Sequence, residues 1–368
     1  MKYFSTILII SPESWNGHSV SKHHYAATLA ERGHRVYFLD PPDETLCDLE
    51  ITPTRYENLY RIRGPKVAPG LRLYPPPIRR RMERRWLRKL ESTIGRRIDI
   101  VWLFENSRFY DLSFAGERLK IYHQVDLNQD FHLAEAARSA DICFATSDHI
   151  LQRIRPYNRR AFKIHHGVAL YKRKQDLSAL HKERFDGGDI HATLVGNMEI
   201  AYLDIELLLK LISKHRKVIF HLVGGYNPDG RVYRALSGSE NIRWWGRVES
   251  PLIPSILEAS DILLLTYRAL SPQDSAQLAN PHKLMEYLAS GKTIVATYTD
   301  EYRDKPHLLE MVGSHEEFLE RFGDIVTNID RYNSLEKQRV RRTFAEDHSY
   351  DRQLQRIEEY LKRYNLSL

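Results

Sequence analysis

The residues with the clearest chemical meaning lie near the C-terminal end of the chain. Asn280 and Pro281 fit the start of a helix, because asparagine caps free backbone N–H groups and proline has a preset φ. Lys283 falls in the first turn, and Glu286 lies three residues further on the same face. A helix N-terminus and a lysine attract phosphate, whereas a carboxylate accepts hydrogen bonds from a ribose diol. This spacing predicts a site for a nucleoside diphosphate.

The elements that must position this helix follow an alternating pattern of strand and helix. Short apolar runs predict strands at residues 4–11, 35–39, 99–104, 120–123, 141–146, 190–195, 218–223, 261–266 and 293–296. Helical spacing predicts helices at residues 19–32, 204–215, 253–259, 315–326, 333–345 and 350–364. The pattern indicates an α/β protein with parallel sheets. No Gly-x-Gly-x-x-Gly follows the first strand, which disfavours a nicotinamide cofactor.

The stretch Asn-Pro-His-Lys-Leu-Met-Glu-Tyr-Leu-Ala-Ser-Gly-Lys, residues 280–292, resembles the donor-binding signature of a known enzyme family. That family is the group 1, family 4-like bacterial nucleotide-sugar glycosyltransferases of the GT-B fold. The resemblance implies two Rossmann-like, doubly wound parallel-sheet domains that face a cleft, with a C-terminal helix that crosses back to the N-domain. The implied acceptor domain is residues 1–168 with helix 349–368, and the implied donor domain is residues 189–345.

The resemblance also implies an activity, a donor and a set of donor contacts. It implies a hexosyltransferase-type enzyme of bacterial surface polysaccharide synthesis, with a UDP- or GDP-sugar as donor and a glycan or polyprenyl-linked acceptor. Lys283 would meet the diphosphate and Glu286 the ribose. The other donor-binding residues that it implies are Gly17, Gly196, Asn197, Gly224, Val248, Asn280 and Pro281. The sequence requires no metal cofactor, because it contains no Asp-x-Asp triplet.

Two positions depart from the family pattern. The family has Arg and Lys soon after the glycine at position 196, where this chain has Asn197 and Met198. We therefore expect phosphate binding to rest on Lys283 and its helix N-terminus, with Arg247 or Arg268 as further cations. Retaining members carry a glutamate where this chain has Leu278, with Asp274 and Gln277 nearby, so the stereochemical outcome stays open.

Candidates for acid–base chemistry follow strands of the first domain. Groups just past the C-terminal ends of parallel strands line the ligand crevice, which singles out Glu105, His123 and Asp126. A general base must reach the acceptor hydroxyl. By the resemblance, we expect Asp126 to be that base and His123 to contact the transferred sugar. The alternative for each residue is a structural role in a loop.

The net charge of +7 is concentrated in one segment. Residues 78–97 hold nine basic and two acidic side chains. Ile78, Met82, Trp86, Leu90 and Ile94 recur on one helical face. A basic amphipathic helix with a tryptophan predicts contact with an anionic membrane surface or a phosphate-bearing acceptor. The residues expected on this face are Arg80, Arg81, Arg84, Arg85, Trp86 and Arg88. The alternative is a helix whose apolar face packs in the core while its arginines are solvated.

Composition limits the remaining alternatives. A chain of 368 residues, 42% hydrophobic and 28% charged, is typical of a globular protein with two domains. Cys47 and Cys143 have no metal-ligand spacing, and no apolar run is long enough to span a membrane, so we expect a cytoplasmic protein with peripheral membrane contact at most. Nucleic-acid binding is disfavoured, because no recognised module accompanies the charge. A sugar-nucleotide epimerase of the same fold and a non-catalytic scaffold of polysaccharide assembly remain as alternatives.

Overall fold

The computed structural model describes residues 4–17, 19–104, 106–127, 131–170, 176–187, 190–268 and 281–368. The chain divides into two compact units. Unit 1 comprises Met1–His166 with Tyr350–Leu368, and unit 2 comprises Gly167–Ser349. Each unit has a hydrophobic core of its own, built on one sheet.

Unit 1 contains an eight-stranded sheet. Its strands are β1 (Thr6–Ile10), β2 (Arg35–Leu39), β3 (Glu50–Pro53), β4 (Leu59–Arg63), β5 (Ile100–Leu103), β6 (Leu119–Gln124), β7 (Ile142–Ala145) and β8 (Ala161–Lys163). Their order is β3-β4-β2-β1-β5-β6-β7-β8, and only the β3–β4 pair is antiparallel. The central strands read as continuous apolar runs because helices cover both faces of a parallel sheet.

Unit 2 contains a six-stranded, fully parallel sheet. Its strands are β9 (Ile190–Val195), β10 (Val218–Val223), β11 (Ile242–Gly246), β12 (Ile262–Leu265), β13 (Thr293–Thr297) and β14 (Glu310–Val312). Their order is β11-β10-β9-β12-β13-β14. The predicted α/β class, with two doubly wound parallel sheets, is confirmed.

Helices connect these strands. They are α1 (Ser21–Glu31), α2 (Pro76–Ile94), α3 (Leu133–Ser139), α4 (Asp148–Ile154), α5 (Ala179–Lys182), α6 (Ile205–Lys214), α7 (Arg231–Leu236), α8 (Ile253–Ala259), α9 (Lys283–Ser290), α10 (His315–Thr327), α11 (Ile329–Tyr332), α12 (Leu335–Asp347) and α13 (Tyr350–Lys362). Within the described ranges, none has the length and apolar character that a membrane span needs.

The last helix, α13, returns to unit 1, as the predicted fold class requires. The ring of Tyr350 packs edge-on against Tyr25 of α1, with ring centroids 5.0 Å apart. Arg32, just past the end of α1, forms ion pairs of 2.8 Å with both Asp351 and Glu358 of α13. These contacts join the two ends of the chain in one unit.

Helix α2 is amphipathic, but its buried stripe differs from the predicted one. The buried residues are Arg79, Glu83, Leu87 and Leu90, whereas Ile78 is 48% exposed. Trp86 is half-buried and its ring lies 4.8 Å from that of Phe109, so it faces protein rather than open solvent. The difference arises because the segment after β5 packs on α2 and accepts hydrogen bonds from its arginines, which apolar periodicity cannot reveal.

Candidate functional site

In unit 2 the strand order reverses between β9 and β12. In open α/β sheets, ligands bind outside the carboxyl ends of the strands at such a reversal. Gly196 follows β9 at this point, and Thr266 and Tyr267 follow β12. The predicted donor helix, α9, reaches the same place through Lys283.

Lys283 spans this reversal with its side chain. Its Nζ donates a hydrogen bond of 2.6 Å to the carbonyl of Val195 and lies 5.0 Å from the centre of the Tyr267 ring. Burial lowers the pKa of Lys283 to about 8, while Glu286 acts in the opposite direction. An ammonium group has three N–H donors, so this geometry leaves donors for a ligand at the strand ends.

Two glycines make room for this arrangement. Gly196 has φ +153° and Gly224 has φ +140°, values that L side chains rarely adopt. A Cβ on Gly196 would lie 2.3 Å from Lys283 Nζ, and one on Gly224 would lie 1.8 Å from the carbonyl oxygen of Gly196. The loops after β9 and β10 therefore pack backbone to backbone beneath the lysine.

Glu286 lies one turn along α9 and lines a cavity of about 160 Å³. The rest of that wall is mostly apolar and includes Val168, Ile253 and Leu257. Burial raises the pKa of Glu286 to about 7, while Lys283 acts to lower it. A carboxyl group in this state can both accept and donate hydrogen bonds near neutral pH, which suits a diol.

The structure describes part of the start of α9. Pro281 precedes the first turn, and its carbonyl accepts a hydrogen bond of 3.1 Å from the N–H of Leu284. The predicted cap, Asn280, lies outside the described residues, as do Asp274, Gln277 and Leu278. Their assigned roles stay predictions.

The other residues predicted to bind the donor are exposed or half-buried in unit 2. The exposed Asn197 accepts a hydrogen bond of 3.0 Å from the N–H of Glu199, which closes a turn. Val248 is half-buried against the core of unit 2. Arg247 is exposed and lies over Gly225, where an added Cβ would come 3.2 Å from Arg247 Nε. Arg247 is thus a cation beside the glycine loop that follows β10.

In unit 1, Asp126 follows β6 at the carboxyl edge of the sheet. Its carboxylate lies 3.8 Å from Nζ of the buried Lys22, and its side chain is 57% exposed. Lys22 also forms a 2.9 Å ion pair with Glu13, in the loop after β1. The candidate base is therefore held by a lysine yet open to a ligand.

His123 has a different environment. It is fully buried among aromatic rings, with Phe104 at 5.0 Å and Tyr25 at 5.3 Å between centroids. Burial and the nearby Lys22 lower its pKa to about 3, and neither ring nitrogen has a hydrogen-bond partner within the described residues. A sugar would reach this ring only if the surrounding side chains moved, so the contact stays a prediction. Glu105 lies outside the described residues.

The structure also gives the positions of Gly17, in the loop after β1, and of the arginines of α2. Gly17 closes a turn, in which its N–H donates to the carbonyl of Ser14 at 2.9 Å. Arg80 forms a 2.6 Å ion pair with Asp111, and Arg84 points to the carbonyl of Phe114 at 3.4 Å. Arg81, Arg85 and Arg88 are exposed and have no hydrogen bond or ion pair within the described part of the chain.

Comparisons with known proteins show what the chain is similar to. A family model described as glycosyl transferases group 1 matches residues 190–328, which contain β9 to β14 and α9. Those residues are therefore similar to a group 1 glycosyltransferase domain, and the fold of the chain is GT-B. Solved structures agree over nearly the whole chain, so the neighbours support the fold of both units.

One of those structures is sucrose-phosphate synthase from Thermosynechococcus elongatus, with a TM-score of 0.72 and 13% sequence identity. The match covers 98% of this chain and 99% of that one. Another is Anabaena Alr3699/HepE in complex with UDP-glucose, with a TM-score of 0.71 and 14% sequence identity. That match covers 98% of this chain and 100% of the Anabaena chain. A Bacillus subtilis protein, TuaH, named as a glycosyltransferase of teichuronic acid biosynthesis, is 28% identical over 134 residues. That match covers 33% of each chain, so it spans about a third of TuaH.

The group 1 domain also contains residues that sequence reasoning missed. The hydroxyl of Tyr287 accepts a hydrogen bond from the N–H of Val195 at 2.8 Å and donates one to the carbonyl of Leu264 at 3.2 Å, which ties α9 to β9 and β12. Thr266 is fully buried at the end of β12, and its hydroxyl has no partner within the described residues. No local pattern distinguished Tyr287 from the other residues of its helix, and Thr266 was distinguished only as the last residue of a predicted strand.

Proposed function

We propose that this protein transfers a sugar from a nucleotide-diphosphate sugar to a glycan or lipid-linked acceptor in the synthesis of a bacterial surface polysaccharide. The observation that carries the proposal is the position of Lys283 at the strand reversal of unit 2. A cation there, above two glycine loops and one turn from Glu286, fits a diphosphate with its ribose. The name given to TuaH supports the polysaccharide role.

The donor is best assigned as a uridine nucleotide sugar. The Anabaena structure with the same fold was solved with UDP-glucose and also with UDP. In the transfer, the bond from the anomeric carbon to the diphosphate oxygen breaks, and the departing diphosphate gains negative charge. Lys283 stabilises that charge, with Arg247 as a second cation on the β10 side. This electrostatic role takes the place of the Arg and Lys that the chain lacks after Gly196.

Unit 1 supplies the acceptor side of the reaction. As the acceptor oxygen forms its bond to the anomeric carbon, its proton passes to Asp126. The carboxylate of Asp126 lies 3.8 Å from Nζ of Lys22, a contact that orients it at the edge of the sheet, and a carboxylate can accept the proton. The exposure of Asp126 supports this role, because a base must meet the substrate.

The acceptor side also faces a membrane surface in this proposal. Arg81, Arg85 and Arg88 project from α2 and carry charges that nothing in the described chain neutralises. Each basic residue near an anionic lipid surface contributes about 1 kcal/mol to binding. Such a surface would bring the protein to lipid-linked acceptors as a peripheral protein.

Nucleotide binding tests the proposal most directly. We expect UDP and UDP-sugars to raise the Tm of the full chain more than GDP and GDP-sugars do, because a ligand that binds only the folded state stabilises it. No shift with any nucleotide at millimolar concentration would count against a donor site and favour the scaffold alternative. Conversion of the UDP-sugar to an epimer without any acceptor would instead favour the epimerase.

A further inference from the structure

Unit 1 contains a cavity of about 470 Å³ at the carboxyl edge of its sheet. Its walls come from α2, from the segments that follow β2 and β4, and from the segment that follows β5. The apolar part of the wall consists of Leu39, Leu49, Val67, Leu71, Trp86 and Phe109. The wall also contains five charged residues, which are Asp40, Lys66, Arg72, Glu83 and Arg108. A cavity of this size, with apolar walls and converging polar groups, is typical of a small-molecule site.

Glu83 contributes a buried carboxyl group to this wall. It is 1% exposed, and its Oε2 has no hydrogen-bond partner within the described residues. The nearest charges are Arg79 and Arg80 on the same helix and Asp111 opposite, and burial raises the pKa of Glu83 to about 8. An unsatisfied buried polar group destabilises a fold, so its presence here requires a different explanation.

One residue of the aromatic wall beside Glu83 has an unusual backbone conformation. Phe109 has φ +53°, which is rare for a bulky side chain, and its ring packs 4.8 Å from that of Trp86. Strained residues of this kind cluster at binding sites. A flat apolar wall next to a hydrogen-bonding carboxyl group suits a sugar ring, which has an apolar C–H face and polar hydroxyl edges.

At the mouth of the cavity, a basic residue is followed along the chain by exposed apolar residues. Arg72 lines the cavity and is exposed, with no hydrogen bond or ion pair within the described residues, whereas Lys66 is already paired with Glu44. The chain then continues into Leu73, 82% exposed, and Tyr74, 41% exposed, next to the exposed Ile78. A sugar-sized cavity, a free cation and an exposed apolar ridge thus follow one another along one surface.

We propose that this cavity binds the sugar of a lipid-linked acceptor, with Glu83 hydrogen-bonded to a sugar hydroxyl and Arg72 beside the anionic link. The apolar tail of the same molecule lies along Leu73, Tyr74 and Ile78. This assignment rests on the proposed function and deepens it, since it selects lipid-linked acceptors over free glycans and makes Glu83 a specificity-determining residue.

A chain of polar contacts leads from the cavity towards the candidate base. Asp40, which lines the cavity, accepts hydrogen bonds from the hydroxyl of Ser14 at 2.6 Å and from the N–H of Trp15 at 2.8 Å. The same loop carries Glu13, which pairs with Lys22, the lysine that also contacts Asp126. The loop after β1 therefore contacts Asp40 in the cavity wall and, through Lys22, the candidate base.

Three matched probes test the proposal by calorimetric titration of the full chain without membranes. They are a short prenyl diphosphate-linked monosaccharide, the prenyl diphosphate without the sugar, and the sugar 1-phosphate without the tail. We expect the complete probe to bind at least tenfold more tightly than either partial probe. Equal affinity for the complete probe and the sugar 1-phosphate would overturn the assignment of a lipid-linked acceptor.

Variants then assign the contacts. Glu83→Leu should weaken the complete probe and the sugar 1-phosphate at least tenfold and leave the prenyl diphosphate unchanged, whereas Glu83→Gln keeps most of the affinity. Arg72→Gln should weaken all three probes, and Arg97→Gln, which removes an exposed arginine beyond the end of α2, should weaken none. Unchanged binding by a folded Glu83→Leu protein would remove Glu83 from the site.

The nucleotide shift separates this proposal from the proposed function. A protein that responds to UDP but binds none of the three probes keeps its proposed activity and loses this acceptor site. A protein that binds the complete probe but no nucleotide loses the transferase proposal and keeps the cavity as a lipid-linked glycan site.

Discussion

In the proposed function, Lys283 carries the donor chemistry of unit 2 in one side chain. Within the described residues, its ammonium group contacts the carbonyl of Val195 and the face of the Tyr267 ring. Because a partly buried charge interacts strongly with a second charge, a phosphate bound here would gain more than it would at an exposed lysine. Burial also lowers the pKa of Lys283 to about 8, because it desolvates the ammonium group.

Replacing this lysine tests the donor site. We expect Lys283→Met to weaken UDP binding about tenfold or more, because a charge-assisted hydrogen bond contributes roughly 1.5–3 kcal/mol. The measurement is calorimetric titration with UDP. Lys214→Met removes an exposed lysine of the same unit and should leave the affinity unchanged. Equal affinities for the two variants would contradict the assignment.

Gly196 tests the same site through the backbone. A Cβ at this position would meet Lys283 Nζ at 2.3 Å and would strain a backbone with φ +153°. We expect Gly196→Ala to reduce UDP affinity by displacing the lysine, and to lower Tm as well. Gly238→Ala is the matched control, because nothing lies within 4 Å of its added Cβ. If both alanines behave alike, the close packing at Gly196 does not matter for binding.

Glu83 gives the cavity of unit 1 a pH dependence. Its pKa in the folded state is raised to about 8 from 4.5, chiefly by burial. Between these values the folded state retains a proton that the unfolded state has lost, so the free energy of unfolding falls as pH rises, by up to about 1.4 kcal/mol per pH unit. We expect Glu83→Leu to gain stability relative to the natural chain as pH rises from 5 to 8, measured by urea unfolding. A difference that does not change with pH would show that Glu83 is ionised throughout.

At the scale of elements, α2 carries different residues on its two faces. One face carries Glu83 and Trp86 into the cavity wall, and the opposite face carries Arg81, Arg85 and Arg88 in solvent. Arg80 and Arg84 lie between these faces and bind the segment after β5. In the two proposals, the first face holds the acceptor and the charges of the second interact with lipid headgroups.

A triple substitution tests the lipid-facing side of α2. We expect Arg81→Gln, Arg85→Gln and Arg88→Gln together to reduce binding to phosphatidylglycerol vesicles by about 3 kcal/mol at most, since each basic residue contributes about 1 kcal/mol. Vesicle co-sedimentation at low salt measures the effect. A control triple, Arg216→Gln, Lys217→Gln and Arg339→Gln, removes the same charge from unit 2. Equal losses would mean that net charge, rather than α2, governs binding.

At the scale of the whole molecule, the chain ends belong to one unit and the middle to the other. Helix α13 packs on α1 through Tyr350 and Arg32, and its Tyr360 stacks on Phe162 of β8 at 4.2 Å. Unit 2 has a core that excludes these residues. The stability of unit 1 should therefore depend on the last residues of the chain.

Deleting residues 350–368 tests this division. We expect amide hydrogen exchange to accelerate in α1, β7 and β8, because the deletion exposes apolar surface of unit 1, and to stay unchanged in β9 to β12. A matched control replaces Arg352 of α13 and Arg363, which follows the helix, by glutamine and keeps the helix. Equal acceleration in both sheets would mean that the units do not fold as separate cooperative blocks.

The sequence alone determined the α/β architecture and singled out the central residues of the proposed donor site. Apolar runs such as residues 190–195 and 218–223 predicted central strands correctly, because a buried parallel strand must be apolar on both faces. Lys283 and Glu286 were identified from helical spacing, which is a local property. Short peripheral strands such as β3 and β14 escaped prediction, since three or four residues carry too little pattern.

Only the tertiary structure decided which side chains meet. That Lys283 reaches Val195, 88 residues earlier in the chain, depends on the strand order and on the close packing of Gly196 and Gly224. Its position at the end of a predicted strand placed His123 among the residues for chemistry, and apolar periodicity placed Trp86 on a lipid face. Both lie against aromatic rings supplied by other segments of the chain. Glu83 looked like one of two acids in a basic helix, and its buried, unpartnered position emerged only from the packing of α2. Long-range contacts of this kind have no signature in local spacing, because the packing partner and the burial of a side chain are set by the whole fold.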